Sequence, residues 1–285
     1  MSRLPASWPA IEITASGHSS AGRPPVYDCV YLSPHLDDVV LSCGGTIWEQ
    51  VQAGRSVLVV TVFAGVPNPG VPLSPFARQL HARWGHPIDA ATARREEDLQ
   101  ALALLGAQAH HWPYTDCIYR RTSTGRFPYA SEEALWGEVH PEEKGLIAEL
   151  AAGLTTLSRK ADVTATYAPL GVGHHVDHQI VHQAAEASGH EVAFYEDFPY
   201  ARDPQTVQAA LAQGRGQARL VPLSEDALNM KIAAIACYHS QLSTFWTDET
   251  DMAVSVRTFA NQTGEGKPAE RYWSVSHPHS PISNL

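Results

Sequence analysis

Cysteine is scarce in this chain. The four that occur, Cys29, Cys43, Cys117 and Cys237, stand far apart and form no C-x-x-C pair. That spacing excludes a disulfide framework and a zinc ribbon, and reads as reduced, mostly buried thiols. Positive charge is also short: 20 Lys and Arg against 30 Asp and Glu give a formal net charge of -10. Such a chain lacks the basic surface that a phosphate backbone calls for, so no nucleic-acid partner is expected. A run of about 18 apolar residues is missing too, so no membrane span is expected. The segment 1–25 contains Pro5, Pro9, Pro24 and Pro25 but no apolar stretch of the kind a secretory signal needs. The expectation is a soluble, cytoplasmic protein acting on a small molecule; a homo-oligomer stays open.

Histidine is plentiful, with 15 in 285 residues. Some lie in scattered pairs such as His110-His111 or near the end at His277 and His279. What matters is whether others occupy ligand geometry. The length suits one large domain with a sizeable core.

After the proline-rich lead, 27–33 is a short apolar run ending at Pro34, which predicts a buried strand entering a loop. Val40, Ile47 and Val51 recur at helical spacing, predicting a helix over 39–53 stopped by Gly54. The run 56–63 is almost continuously apolar, as expected of a parallel strand covered on both faces. Strand, loop, helix and strand in that order make a βαβ unit with a right-handed crossover. Residues 64–89, rich in Pro and Gly, read as a surface excursion. A helix follows over 89–105, capped by Asp89, stopped by Gly106 and turning Leu99, Leu102 and Leu105 inward. Further along, 108–116 reads as an edge strand, 141–158 as a helix, 162–168 as a strand, 174–187 as a helix and 191–195 as a strand. A helix over 224–240 precedes a polar, proline-containing end. Alternating strands and helices predict an α/β fold: a Rossmann-like, mostly parallel sheet with helices on both faces, as a single domain.

Two clusters carry chemistry. Ser33-Pro34-His35-Leu36-Asp37-Asp38 falls directly after the first strand, at the sheet edge where open α/β folds bind ligands. His35 and Asp38, three apart on an incipient helical turn, would face one side and could chelate an ion. Asp37 would point elsewhere, free to handle a proton. Taken alone, the motif fits helix capping by either aspartate equally well. The second cluster, Gly173-His174-His175-Val176-Asp177-His178, also follows a predicted strand and opens a helix. Parallel topology brings such strand ends together, so the two clusters point to one site. A ligand from His178 would complete two His and one carboxylate with a position open for water, the pattern of a catalytic zinc site. Bound zinc lowers the pKa of water to about 7. Fe²⁺, Mn²⁺ and Co²⁺ would suit the same donors. His174 and His182 are alternates.

H-L-D-D with Cys43-Gly44-Gly45-Thr46-Ile47, and H-V-D-H late in the chain, resemble the PIG-L/LmbE-like zinc-dependent N-deacetylases. Arg94-x-x-Glu97, Asp116, Glu196-Asp197-x-Pro199-Tyr200, Lys231 and Tyr238-His239-Ser240-Gln241 are further landmarks, so the likeness runs from about 27 to 273. The resemblance implies a deacetylase domain over 26–275, between a flexible lead at 1–25 and a tail at 276–285. It implies a substrate that is an N-acylated sugar or glycoside of the N-acetylglucosamine type. His35, Asp38 and His178 would hold the metal, with Asp37 the general base on its water. His175 would stabilise the oxyanion and assist the leaving amine, and Asp177 would tune His175. Arg94 and Asp116 would contact the sugar, although Arg95 is a rival and Arg94 could instead pair with Glu97 or Asp98. Departures are Leu36 for the family's usual proline, Val39 for glutamate, and Gly173 where some members carry a mobile tyrosine. Trp84, Tyr114, Tyr119 and Phe127 are aromatics that could stack on a sugar.

The competing class is a non-catalytic, metal-dependent sugar- or nucleotide-binding Rossmann-like protein. Ser42-Cys43-Gly44-Gly45 is no G-x-G-x-x-G, however, and lies inside the predicted helix. Neither H-E-x-x-H nor G-x-S-x-G occurs, which removes the zincin and serine-hydrolase readings.

Overall fold

Alternation along the first two strands sets the layers. Cys29 and Tyr31, with Val57 and Val59, enter one apolar cluster. Val30 and Leu32, with Leu58 and Val60, enter another. Successive side chains point to opposite faces, so a sheet with apolar residues at both must be covered on both. The computed structural model describes residues 25–211 and 215–276. The expected lead and tail, and His277 and His279, lie outside the described residues apart from Pro25 and Ser276.

The strands are β1 (Val26–Ser33), β2 (Val57–Thr61), β3 (Gln108–His111), β4 (Asp162–Pro169), β5 (Val192–Tyr195), β6 (Arg215–Pro222) and β7 (Ala269–Ser276). The helices are α1 (Asp38–Gln52), α2 (Pro75–Arg83), α3 (Ala90–Leu105), α4 (Glu132–Leu135), α5 (Lys144–Lys160), α6 (Val176–Ala187), α7 (Pro204–Leu211), α8 (Glu225–Ile235), α9 (His239–Phe245) and α10 (Glu249–Thr263). One sheet has the order β3-β2-β1-β4-β5-β7-β6. β1 to β5 are mutually parallel, and β7 alone runs against its neighbours β5 and β6. The Rossmann-like α/β expectation holds. The strand order reverses between β1 and β4, which is the switch point where such folds form their crevice.

Helices α1, α3 and α8 pack together on one face, and α5 with α6 on the other. The two glycines of α1 serve that packing. A Cβ on Gly45 would come 2.6 Å from Leu223 Cδ1, and one on Gly44 would come 3.1 Å from Lys231 Cγ. They therefore bind no dinucleotide phosphate but admit α8 and the β6–β7 edge. The buried Glu270 carboxylate completes the join. It accepts from Gly45 N (3.0 Å), Thr46 N (2.9 Å) and Lys231 Nζ (2.7 Å).

Several expectations fail. Asp89 takes the N-cap position of α3 without a side-chain cap bond, and the helix expected over 224–240 divides into α8 and α9. The excursion 64–89 contains α2, which Ser74 caps by accepting from Ala77 N, with Pro75 at its first position. The polar end after 240 is not a tail but holds α9, α10 and β7. Polar, half-exposed elements carry no long apolar run, and their antiparallel pairing is not visible locally. In α3, Leu99 faces outward at 48% exposure, while Arg94, Glu97 and Asp98 are buried. Glu97 accepts from Ser240 N and Oγ, and Asp98 from Tyr238 Oη (2.7 Å) and Thr61 Oγ1 (3.2 Å). Paired charges can occupy an inner face that a hydrophobic count assigns to leucine.

Candidate metal centre and active site

The site assembles at the carboxyl ends of four parallel strands. β1 delivers His35, Asp37 and Asp38; β4 delivers His175, Asp177 and His178; β3 leads to Asp116, and β5 to Asp197. Helix α1 contributes its first turn without using the aspartates as caps. Asp37 occupies the N-cap position but its side chain makes no cap bond. Ser33 Oγ does that work, accepting from Val39 N at 3.1 Å while donating to His35 O at 2.7 Å. The capping explanation of the motif therefore fails for Asp37, whose carboxylate stays open. Arg94 Nη2 lies 3.6 Å from its Oδ1.

Asp38 Oδ2 sits between two imidazoles, 3.1 Å from His35 Nδ1 and 3.3 Å from His178 Nε2. The far nitrogen of each ring meets a buried carboxylate: His35 Nε2 lies 3.0 Å from Asp177 Oδ2, and His178 Nδ1 lies 2.7 Å from Asp197 Oδ1. Each histidine can donate its outer N–H to its carboxylate and turn a lone pair toward Asp38. This is the outer-shell pattern that supports histidine metal ligands. The surroundings also favour positive charge at this point. Burial opposes a charge on His35, but Asp116, Asp177 and Asp38 override it and hold the ring well above its ordinary range. Burial likewise opposes a charge on His178, yet Asp38 and Asp197 push it up to about 10. A centre that stabilises protons on two adjacent imidazoles stabilises a divalent cation by the same field, with proton release on binding. The donor set fits such an ion.

His175 differs. Its Nδ1 accepts from Asp177 N at 3.2 Å, so the neutral ring carries its proton on Nε2. Burial, followed by repulsion from His35 and His178, holds it well below the usual imidazole range. His35, His175 and His178 lie close enough to share an ion, as do His35, Asp116 and Asp177. The Nδ1 of His175 is committed to the Asp177 amide, however, and its Nε2 is a donor. Asp177 is expected to tune His175, and its charge does act on that ring, pulling upward against burial, while its carboxylate makes its hydrogen bonds elsewhere. It accepts from Cys117 N (3.0 Å) and Arg120 Nη2 (2.5 Å) as well as meeting His35. The hydrogen bond between the two is made by the Asp177 backbone N–H.

Burial first, and then Asp38, raises Asp37 to about 7 against the opposing pull of Arg94 and His35. Arg94 is buried with its Nε unpaired, its Nη1 4.0 Å from Asp116 Oδ2, and its guanidinium 4.8 Å from the Trp84 ring. The rival reading, a pair with Glu97 or Asp98 on a solvated face, is overturned. Arg95 is turned away to Ala64 O at 2.7 Å. His174 and His182 are also outside the cluster. The first bonds Trp136 O, and the second bonds Pro169 O with Glu186 at 3.3 Å. Of the sequence-selected aromatics, Trp84 backs Arg94 and Tyr119 Oη meets His81 Nε2 (2.6 Å). Tyr114 instead bonds Glu149, and Phe127 lies under Arg121.

Sequence reasoning missed three residues. Arg120 lies in a stretch read as irregular, yet its buried guanidinium joins Asp177 to Glu143 (Nε–Oε1 2.5 Å) and covers Phe63. Asp197 was a landmark without a role. Trp136 gave no signal beyond being aromatic, and its ring lies 5.2 Å from that of His175. At Gly173 (φ 88°), a Cβ would stand 2.8 Å from Tyr200 Cγ. Tyr200 thus takes the space that a side chain at 173 would need.

A doubly covered α/β sheet with a buried, metal-competent His/Asp cluster at its switch point defines the class. The chain belongs to the PIG-L family, described as GlcNAc-PI de-N-acetylase, whose model matches residues 30–188. That span holds His35, Asp37, Asp38, Arg94, Asp116, His175, Asp177 and His178. The chain is 28% identical over 260 residues to 2′-N-acetylparomamine deacetylase of Niallia circulans, covering 86% of this chain and 89% of that protein. It is 30% identical over 230 residues to the Streptomyces fradiae protein of the same name, covering 77% and 75%. Among solved structures, a zinc-inhibited form of teicoplanin deacetylase Orf2 aligns with a TM-score of 0.78 at 30% identity, over 88% of this chain and 99% of that one. No helix among the described residues is long and apolar enough to cross a membrane.

Proposed function

We propose that this protein is a hydrolase that removes the acetyl group from an N-acetylated amino sugar, using a divalent ion held by His35, Asp38 and His178. Zinc is the first choice of ion, with Fe²⁺, Mn²⁺ and Co²⁺ as substitutes. The observation that carries this reading is the convergence of His35 Nδ1 and His178 Nε2 on Asp38 Oδ2, beside a second aspartate that caps nothing. Membership of the family and the names of the relatives support the reaction class.

When bound, the ion supplies a Lewis acid for the acyl carbonyl and acidifies a water. Asp37 would take a proton from the attacking water as its oxygen adds to the carbonyl carbon. Burial and the neighbouring Asp38 push the Asp37 pKa upward, the direction a base working near neutrality needs. The Nε2–H of His175 donates to the oxygen on which charge develops. As the C–N bond breaks, the proton held by Asp37 passes to the departing nitrogen, with His175 assisting on that side. The products are acetate and a free amine. Asp177 acts twice, fixing the tautomer of His175 through its amide and orienting His35 through its carboxylate. Arg94, with spare donors, and Asp116 bind sugar hydroxyls.

The test pairs elemental analysis with amine release from 2′-N-acetylparomamine and N-acetylglucosamine glycosides. Asp37→Ala is expected to keep its metal and lose about 100-fold or more in turnover, whereas His178→Ala loses the metal. Retention of both metal and activity in the two variants overturns the assignment. So does a metal-loaded wild type that releases no amine.

A further inference from the structure

Among the described tryptophans, Trp136 alone is exposed, at 36%. It closes the short helix α4 and stands edge-on to His175 (5.2 Å between ring centroids) and to Tyr200 (5.3 Å). Tyr200 in turn lies against His178 at 5.9 Å. Trp136 therefore borders the buried cluster, one ring away from the histidines and part-exposed to solvent. An aromatic ring part-exposed beside a buried polar cluster is of the kind that lines ligand sites.

The backbone at Trp136 is anchored. His174 Nδ1 bonds Trp136 O at 3.2 Å, and Gln179 Nε2 bonds both Gly137 O (2.9 Å) and His174 O (2.7 Å). His174 carries a φ of 65°, a left-handed conformation that costs energy for a non-glycine residue. The same bonds tether the Trp136–Gly137 backbone to the start of α6, beside His175. The backbone that carries the ring is thus tied to α6, which lowers the cost of ordering it around a ligand.

We propose that Trp136 is a specificity-determining residue whose part-exposed ring stacks on the pyranose ring bearing the acetamido group. The choice of that ring follows from size and depth. An acetyl group has a single methyl, and it must lie deep, where its carbonyl carbon reaches the Asp37 side of the cluster. What remains outside is the carbon skeleton of the amine. A hexopyranose presents a face of axial C–H groups whose area suits an indole, with its hydroxyls directed outward around the rim toward polar partners. Aromatic rings lining a site with a few placed polar groups are the usual arrangement for such ligands. The proposal rests on the deacetylase reading and extends it to the substrate's leaving half.

Two measurements separate the two ideas. The first compares kcat/KM for an N-acetylglucosamine glycoside with that for the ring-less N-acetylethanolamine, in wild type, Trp136→Ala and Trp136→Phe. Trp136→Ala is expected to lose about 10- to 100-fold more on the glycoside than on the ring-less amide, mainly through KM. Trp136→Phe should recover most of that loss, and metal content per chain should stay the same. Equal losses on both substrates, or no loss on the glycoside, overturn the subsite. The second titrates paromamine against tryptophan emission, which needs no turnover. Quenching in wild type that vanishes in Trp136→Phe supports stacking even if no acetamide is hydrolysed, and identical titrations in the two proteins refute it.

Discussion

His35 and His178 are both backed by a buried carboxylate, yet the two carboxylates are secured differently. Asp177, behind His35, belongs to an ionic lattice. Arg120 reaches it and Glu143 together, and Glu143 also accepts from Tyr129 Oη at 2.6 Å, which itself accepts from His140 N at 2.8 Å. Asp197, behind His178, is held by one backbone amide, Val172 N at 2.9 Å, just past β4. The His178 arm is thus local to the sheet edge. The His35 arm depends on the whole excursion between β3 and α5 being in place. Arg120 also neutralises Asp177, holding that carboxyl well below its ordinary range despite burial, whereas among the described residues no arginine or lysine is hydrogen-bonded to Asp197, which meets the His178 ring instead. The same outer-shell chemistry is reached once through charge balance and once through a single amide.

Breaking the ionic arm should have the largest effect. Arg120→Met removes the guanidinium from two buried carboxylates, leaving Asp177 with His35 and Cys117 N and Glu143 with Tyr129 Oη, and a loss of about 3–5 kcal/mol in urea denaturation is expected. A loss under about 1 kcal/mol would mean that the lattice holds nothing. Removing the ion acts on both arms at once. With free metal about 100-fold above its Kd, chelation should cost about 2.7 kcal/mol. That corresponds to a fall of roughly 5–10 °C in Tm for a domain of this size. An unchanged Tm would place the ion elsewhere or show that it does not bind. Asp197→Asn tests the local arm: metal affinity measured by chelator competition should weaken about 10- to 100-fold with a near-native fold. Equal affinity would show that the Asp197 contact does not orient His178. The smallest effect is the control, Leu99→Lys on the exposed side of α3, expected to stay within about 0.5 kcal/mol. A larger loss would return Leu99 to the core.

Much of the central fold was legible because its elements are self-declaring. β2 is almost unbroken Val and Leu, and α3 ends at Gly106 (φ 76°). β6, β7 and α10 were not, since their polar, half-exposed residues gain order only by pairing with β5 and α8. His35, Asp38 and His178 were legible as a pattern because two donor clusters each follow a strand. Arg120 and Trp136 were not, because each acts through a neighbour brought from elsewhere in the chain: Asp177 lies 57 residues from Arg120, and Trp136 meets His175 across a loop.

Two aspartates side by side are alike in residue type, and the sequence alone determined that an acidic pair stands after β1 beside an imidazole. Spacing from His35 and the family resemblance already set Asp38 apart from Asp37; the tertiary structure supplied the partners of each. It placed two imidazole nitrogens around Asp38, set Arg94 against Asp37, and gave the capping duty to Ser33. The strand ends and the residue types were written in the chain. Which nitrogen turns inward, and which carboxylate stays open, depended on hydrogen-bond partners that folding alone brought within about 3 Å.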